Sequence, residues 1–537
     1  MRHVQSAAVA AAIALAATIA LAATGPAKAQ PLSPYASAGE QQAALADGRT
    51  TSEQLVRAYI DRIARYDDAG VRLNAVLAVN PKALDDARRL DAERRAGQVR
   101  GPLHGVTVLL KDNIEADDGL PTTAGSLALA DNVTRRDAAL VRRLKDAGAV
   151  VLGKTNLSEW ANFRSTRSIS GWSAVGGLVR NPYGLDRTAC GSSSGSGAAV
   201  AAGLAAVAIG TETDGSITCP AAMTGVVGLK PTVGLVSRIH IVPITAAQDT
   251  AGPMTRTVAD AAALLSAIAG TDTADPATAE ADARKADYLA ALDRNALKGA
   301  RIGVWHAWKG RSPRTDAVFE AALEALRAQG AILVELKGPD DAVMGRIGRE
   351  ELQLMTADFR PALDAYLATT PPSVKARSLA DVVAFNRTEA RETALFGQEI
   401  FEEALSVADD PDRPRKRADL TRLAREALDG MLADQTLDAV VAPSGGPPSI
   451  VDPVNGGVFL GSPSRLPAVS GYPHLTVPMG YVSGLPVGMS FLGPAWSEAR
   501  LLALGFAYEQ ASKARREPDF PPHVGARPEI GRAYDPR

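Results

Sequence analysis

The chain has 537 residues, 46% hydrophobic and 22% charged, with 58 Lys and Arg against 60 Asp and Glu. That is globular composition, enough for one large domain or about three average ones. It excludes a nucleic-acid partner, which would need a concentrated basic face.

The first element is a targeting segment. Arg2 and His3 precede an uncharged apolar run, 7–23, and Ala27-Lys28-Ala29 supplies a small-residue cleavage site. We read 1–29 as a signal peptide, cut before Gln30; a run of about 17 residues is short for spanning a bilayer. Removing Arg2 and Lys28 leaves 56 basic against 60 acidic residues, a net charge of −4. No other segment is apolar enough to span, so the expectation is an exported, periplasmic protein without stable membrane insertion. Its oligomeric state is not written in the sequence. Two cysteines, Cys190 and Cys219, are too few for a disulfide scaffold. Export would permit one bridge between them, but sequence does not give their separation.

The spacing predicts an amphipathic helix over 51–66, opened by Thr51 and Ser52 with Glu53 following in the manner of a capping box. A short apolar strand, 105–110, stops at Lys111; a helix over 135–148 and a strand over 149–153 follow. Strand, helix and strand in that order predict a parallel unit. A second such unit is predicted from a strand at 300–307, a helix at 313–330 and a strand at 331–336. Residues 345–432 read as mostly helical, and the basic stretch 413–425 as the solvated start of a helix. Strands are expected at 438–444, 475–481 and 486–493, the last two as a hairpin. A helix at 497–513 closes the domain, assigned to 30–514, and 515–537 reads as an irregular tail. The fold class is α/β: one mixed sheet covered by helices on both faces.

Two motif matches mislead. "GAVVLGKT" (148–155) fits the P-loop formula, but the residues between its glycines are Ala-Val-Val-Leu, a buried strand rather than a phosphate-cradling loop. "GSSSG" (191–195) fits a nucleophile elbow centred on Ser193, but "NPYGLDRTAC" before it does not read as the required strand. The residues 198–210, "AAVAAGLAAVAIG", are apolar on every side and read as a buried helix whose start carries Ser192, Ser193, Ser194 and Ser196. Its far end turns through "TETDGS", where successive N–H groups can converge on one oxygen, as an oxyanion hole requires. Lys111, after its strand, either reaches water at the sheet edge or lies inside as a neutral base. The residues alone leave both readings open.

The stretch "GSSSGSGAAVAAGLAAVAIGTETDGSITCPAAMTGVVGLKPT" resembles the Gly/Ser-rich signature of the amidase signature family. "GPLHGVTVLLKDN", "GAVVLGKTNLSEWA", "VRNPYGLDRT", "DTAGPMTRTVADAA" and "SGYPHLTVPMG" are similar to its other blocks, in the same order. "GTETDGSITCPA" and "RSTRSISGWS" are most similar to the peptide amidases, with Asp214 where the commoner family form has Gly. The resemblance implies Ser216 as nucleophile, Ser192 as a bridging serine after a cis peptide bond, and Lys111 as base. It also implies an oxyanion hole from the backbone N–H groups of Thr213, Asp214, Gly215 and Ser216. Ser173 and Asn156 fall in family-like blocks and, with Ser193, are candidates for the substrate pocket. No Cys/His spacing suggests a zinc site, and neither metal nor organic cofactor is expected. The implied reaction removes the C-terminal carboxamide of peptides as ammonia; a broader amidase acting on small aliphatic or aryl amides is the alternative. The glutaminase subunit of transamidosomes shares the signature, but a signal peptide does not suit a partner of tRNA machinery.

Overall fold

The computed structural model describes residues 32–534 except 434 and 455–457. The signal peptide assigned to 1–29 lies outside the described residues. Among these, the main sheet has eleven strands. Three parallel strands sit near one edge, with Thr107–Lys111 between Val150–Thr155 and Val207–Glu212. Antiparallel strands Thr250–Thr255, Val227–Lys230 and the hairpin His474–Val482/Leu485–Leu492 lead across the centre. Ala439–Pro443, Arg301–Trp305 and Ile332–Leu336 finish the other end as parallel neighbours, the last two forming the expected second unit. The sheet is therefore mixed, as expected from the element order.

Side chains alternate across it as strand geometry demands. Val108 and Leu110 join one large apolar cluster, whereas Leu109 packs on the opposite face with Ala198–Ala202. All five residues of Thr107–Lys111 are buried. Burying each Val or Leu contributes roughly 1.5–3 kcal/mol, enough to hold the lysine at the strand's end inside. Helices Ala139–Asp146, Pro313–Ala328 and Glu498–Ser512 fall where predicted. Residues 341–433 hold four helices, Asp341–Leu367, Leu379–Thr388, Glu399–Ser406 and Arg413–Ala433. The helix Ser52–Ile63 is capped by Thr51, but its reciprocal partner is Gln54, not Glu53.

Three expectations are corrected. The apolar run 198–210 is not one helix: Ser194–Ala201 is helical, and Val207–Glu212 is a strand beside Thr107–Lys111. Gly203 makes the break at φ +68°, where an added Cβ would also lie 3.0 Å from the Pro34 carbonyl. A small ribbon, Arg180–Asn181 with Gly184–Thr188, precedes the serine cluster where no strand was expected. The tail is not wholly irregular either, since Pro528–Tyr534 is helical. Proline's fixed φ suits the first helical position, which explains the start of that turn.

Candidate active site

Lys111 ends a strand whose neighbours fix its backbone on both sides, and its side chain is fully buried. Its Nζ lies 2.7 Å from Ser192 Oγ, 2.8 Å from Thr211 Oγ1 and 3.2 Å from the Thr211 carbonyl. Asn113 Nδ2 donates to the same Thr211 hydroxyl at 3.0 Å, fixing its rotamer. Burial pushes the Lys111 amine down to about 7, against the opposing pull of Glu212 and Asp249. An ordinary lysine is neutral in about one molecule in two thousand at pH 7. Burial makes the neutral form of Lys111 far more accessible than that. The amine lies inside the protein against two hydroxyls and does not reach water at the sheet edge.

Ser192 is fully buried and follows a cis Gly191–Ser192 peptide bond. Glycine at 191 leaves room for the Ser158 hydroxyl, which an added Cβ would meet at 2.0 Å. The Ser192 carbonyl accepts from Ser158 N at 3.0 Å, and Ser193 N donates to the Ser216 carbonyl at 3.1 Å. This last bond ties the Ser192 loop to the turn carrying Ser216.

That turn runs from strand Val207–Glu212 into helix Thr218–Met223. Glu212 Oε2 accepts from Ile217 N at 2.7 Å and Thr218 N at 2.9 Å, placing a carboxylate at the helix start. Gly215 adopts φ +78°. Among the described residues, the N–H groups of Thr213, Asp214, Gly215 and Ser216 donate to no protein acceptor. Unpaired donors on one turn, beside a serine hydroxyl, are what a developing oxyanion needs. Ser216 is 8% exposed, and its hydroxyl makes no hydrogen bond to another described residue.

A cleft of about 940 Å³ opens over this arrangement, with Cys190, Gly191, Asp214 and Gly215 among its lining residues. Its walls carry the apolar Phe396 and Ile450 beside Arg167 and Arg465. Asp214 is held from a distant part of the chain: Ser464 Oγ donates to it at 2.5 Å, and Arg465 Nε lies 3.9 Å away. Arg465 also pairs with the buried Glu351 at 2.9 Å, and Gln248 donates to both Glu351 and the Thr213 carbonyl.

Three candidates lie beneath the cleft rather than in its wall. Ser193 is fully buried, and its hydroxyl bonds the Thr211 backbone on both sides, accepting from N at 3.2 Å and donating to O at 3.0 Å. That bonding also removes it as an elbow nucleophile. Ser173 donates to Asn156 Oδ1 at 2.7 Å, and Asn156 holds the Asn74 and Gly177 carbonyls. Both are fully buried, and these bonds brace the loops beneath the cleft. Lys154 of the P-loop look-alike sits in strand Val150–Thr155 and donates to Ile114 O and Thr122 Oγ1.

Sequence reasoning missed Thr211, Asn113, Ser464 and Arg465. Thr211 could have been found, once a strand was recognised, as the residue near Lys111 in the adjacent register. Ser464 lies 250 residues from Asp214 and carries no local signal.

The family model for Amidase matches residues 54–502. A probable amidase of Arabidopsis thaliana is 41% identical over 490 residues, covering 89% of this chain and 90% of its own. The structure of native peptide amidase from Stenotrophomonas maltophilia is 51% identical, with a TM-score of 0.86, covering 91% of this chain and 99% of that one. A bacterial aryl acylamidase of the amidase signature family is 25% identical, with a TM-score of 0.72 over 89% of this chain and 96% of its own. The chain belongs to the amidase family and is an amidase signature serine hydrolase acting on amides.

Proposed function

We propose that the protein is a peptide amidase that hydrolyses the C-terminal carboxamide of short peptides to the free acid and ammonia. The observation that carries the mechanism is the buried Lys111 amine, pushed to about 7 and 2.7 Å from Ser192 Oγ. A neutral amine has two N–H bonds and one lone pair. Lys111 has three neighbours in kind: the Thr211 carbonyl and hydroxyl can take the two N–H bonds, leaving the lone pair for the Ser192 proton.

Ser216 Oγ attacks the amide carbon as its proton passes to Ser192 and the Ser192 proton passes to Lys111. Rotation of the Ser216 hydroxyl toward Ser192 completes the relay. The carbonyl oxygen becomes an oxyanion facing the N–H groups of Thr213–Ser216. Its collapse breaks the C–N bond, and the relay returns a proton to the leaving nitrogen, which departs as ammonia. Water then attacks the Ser216 ester through the same groups and releases the acid. No histidine takes part.

The choice of peptide amides rests on 51% identity to a solved peptide amidase over 91% of the chain, and on a cleft of about 940 Å³, large for a simple amide. The broader reading, toward small aliphatic or aryl amides, is favoured by the shared fold of the aryl acylamidase. Ammonia release from amidated dipeptides, beside propionamide and an acyl anilide with Ser216→Ala as blank, separates them. Release confined to peptide amides is expected; turnover of the simple amides alone would move the function to the broader reading. We also propose export to the periplasm. A disulfide between Cys190 and Cys219 suits an oxidising compartment. A mature chain beginning at Gln30 would support this, and an uncleaved cytoplasmic chain would overturn it.

A further inference from the structure

Cys190 and Cys219 form a disulfide with Cα atoms 6.0 Å apart. Its position is specific. Cys190 is the residue before Gly191–Ser192, and Cys219 lies in the first turn of the helix that follows Ser216. The two serines arrive on separate segments, one leaving the ribbon at Thr188 and the other leaving the strand at Glu212. Close to the serines these segments share the 3.1 Å bond from Ser193 N to the Ser216 carbonyl, and one turn earlier the two bonds of the Ser193 hydroxyl with the Thr211 backbone. Each cysteine is also anchored on its own side. Cys190, at φ +58°, donates from N to Thr188 Oγ1 at 2.9 Å and accepts from Ser194 Oγ at 2.5 Å. Cys219 N donates to the Gly215 carbonyl at 2.8 Å, so the bridge pulls directly on the Ser216 turn.

We propose that this disulfide is a positioning element of the catalytic site, setting the distance between Ser192 and Ser216 across which the proton passes. The inference rests on the reading of those serines as a catalytic pair. Proton transfer needs oxygens within about 2.6–3.2 Å, and the disulfide is the covalent tie between the two segments, beside a small set of hydrogen bonds. Both cysteines line the cleft, so a small reductant reaches the sulfurs without unfolding the chain. Reduction by a phosphine adds two electrons and two protons across the S–S bond, giving two thiols and the phosphine oxide with water as oxygen source. Mild oxidation reverses it.

The test compares wild type, wild type reduced by a phosphine, and Cys190→Ala/Cys219→Ala, at a temperature well below each melting transition. The expected result is a kcat at least about tenfold lower in both altered forms, because small misplacement of reacting groups is costly. KM should stay within about twofold, near-native circular dichroism should persist, and activity should return on reoxidising the wild type. A merely structural bridge would lower the melting temperature and leave kcat alone. Either altered form, folded and with kcat within twofold of wild type, overturns the proposal. Unfolding on reduction also overturns it, because the bridge then holds the fold rather than the relay. Ser216→Ala keeps the two questions apart: activity in that variant would remove the catalytic reading itself, whatever the disulfide does.

Discussion

Two lysines in this sheet share almost every property except their neighbours. Lys111 and Lys230 each end a buried strand, each is fully buried, and burial lowers both amines, to about 7 and about 8. The buried Glu212 opposes that shift in both. Lys111, however, touches a serine hydroxyl below an open cleft, whereas Lys230 Nζ donates to the Pro231 carbonyl at 3.0 Å. Beside Lys230, His474 and Ser490 even form a Ser–His pair at 2.7 Å. Burial and Lys230 push that imidazole down to about 3, too weak a base to take a serine proton, and both residues are fully buried. A perturbed base is thus a poor marker of function on its own. What distinguishes the proposed site is a buried amine, serine hydroxyls and N–H groups without protein acceptors, gathered below one cleft.

Exchanging each lysine for methionine breaks this comparison most sharply. Lys111→Met should lower kcat by roughly 10³-fold or more, as loss of a relay member does. It should not lower the melting temperature. The native amine loses its proton near pH 7 and the unfolded one near 10.5, so burial costs most below pH 7 and the cost is gone above 10.5. Methionine removes that cost. The wild-type rate should climb with pH and level off above about 7 as the amine becomes neutral. A rate unaltered by Lys111→Met would return the lysine to a structural role.

Lys230→Met is the counterpart and should act on stability. It removes a cation whose charge lowers the proton affinity of the buried Glu212 and Glu498. Leaving buried carboxylates less compensated costs about 1–3 kcal/mol, set against the relieved burial of the Lys230 amine itself; the net is read as a lower melting temperature, with kcat of the folded enzyme within about threefold. Loss of catalysis without loss of stability would show that the two lysines do not divide as argued here.

What could be read from the sequence follows the same division. Lys111, Ser192 and Ser216 sit in short blocks whose resemblance to the family fixes their order, and Lys111 stands at the end of a strand legible from its β-branched run. The parallel units and the hairpin were legible because each is local, a periodic helix between apolar strands. The run 198–210 was not. Its small apolar residues carry no period, so nothing but Gly203 marked the change from helix to strand. The pocket candidates turn on a related point: Ser173, Asn156 and Ser193 are polar and near the motif, and their side chains make buried hydrogen bonds that brace loops beneath the cleft. The contacts that shape the cleft, Ser464 and Arg465 on Asp214, join residues 250 positions apart or more, where pattern has no reach.

Asp214 gives the smallest effect and the finest test, because it sits between the two behaviours. Its backbone N–H belongs to the turn of free donors, while its carboxylate faces Ser464, Arg465 and, through charge, Glu351. Burial and then the Asp214 charge raise the Glu351 carboxyl above the usual range, with Arg465 and Gln248 pulling it back. A raised acid holds its proton in the native state after the unfolded chain has lost it, so stability falls as pH rises through that window. Asp214→Asn keeps an acceptor for Ser464 and the backbone donor, but removes the charge. The fall in melting temperature between about pH 5 and 9 should become shallower, by on the order of 1 kcal/mol for each unit that Glu351 drops. The kcat should change by less than about fivefold, since the proposed oxyanion donors are main-chain groups. A loss of kcat as deep as that of Lys111→Met, on an unchanged stability profile, would instead put the Asp214 carboxylate in contact with substrate.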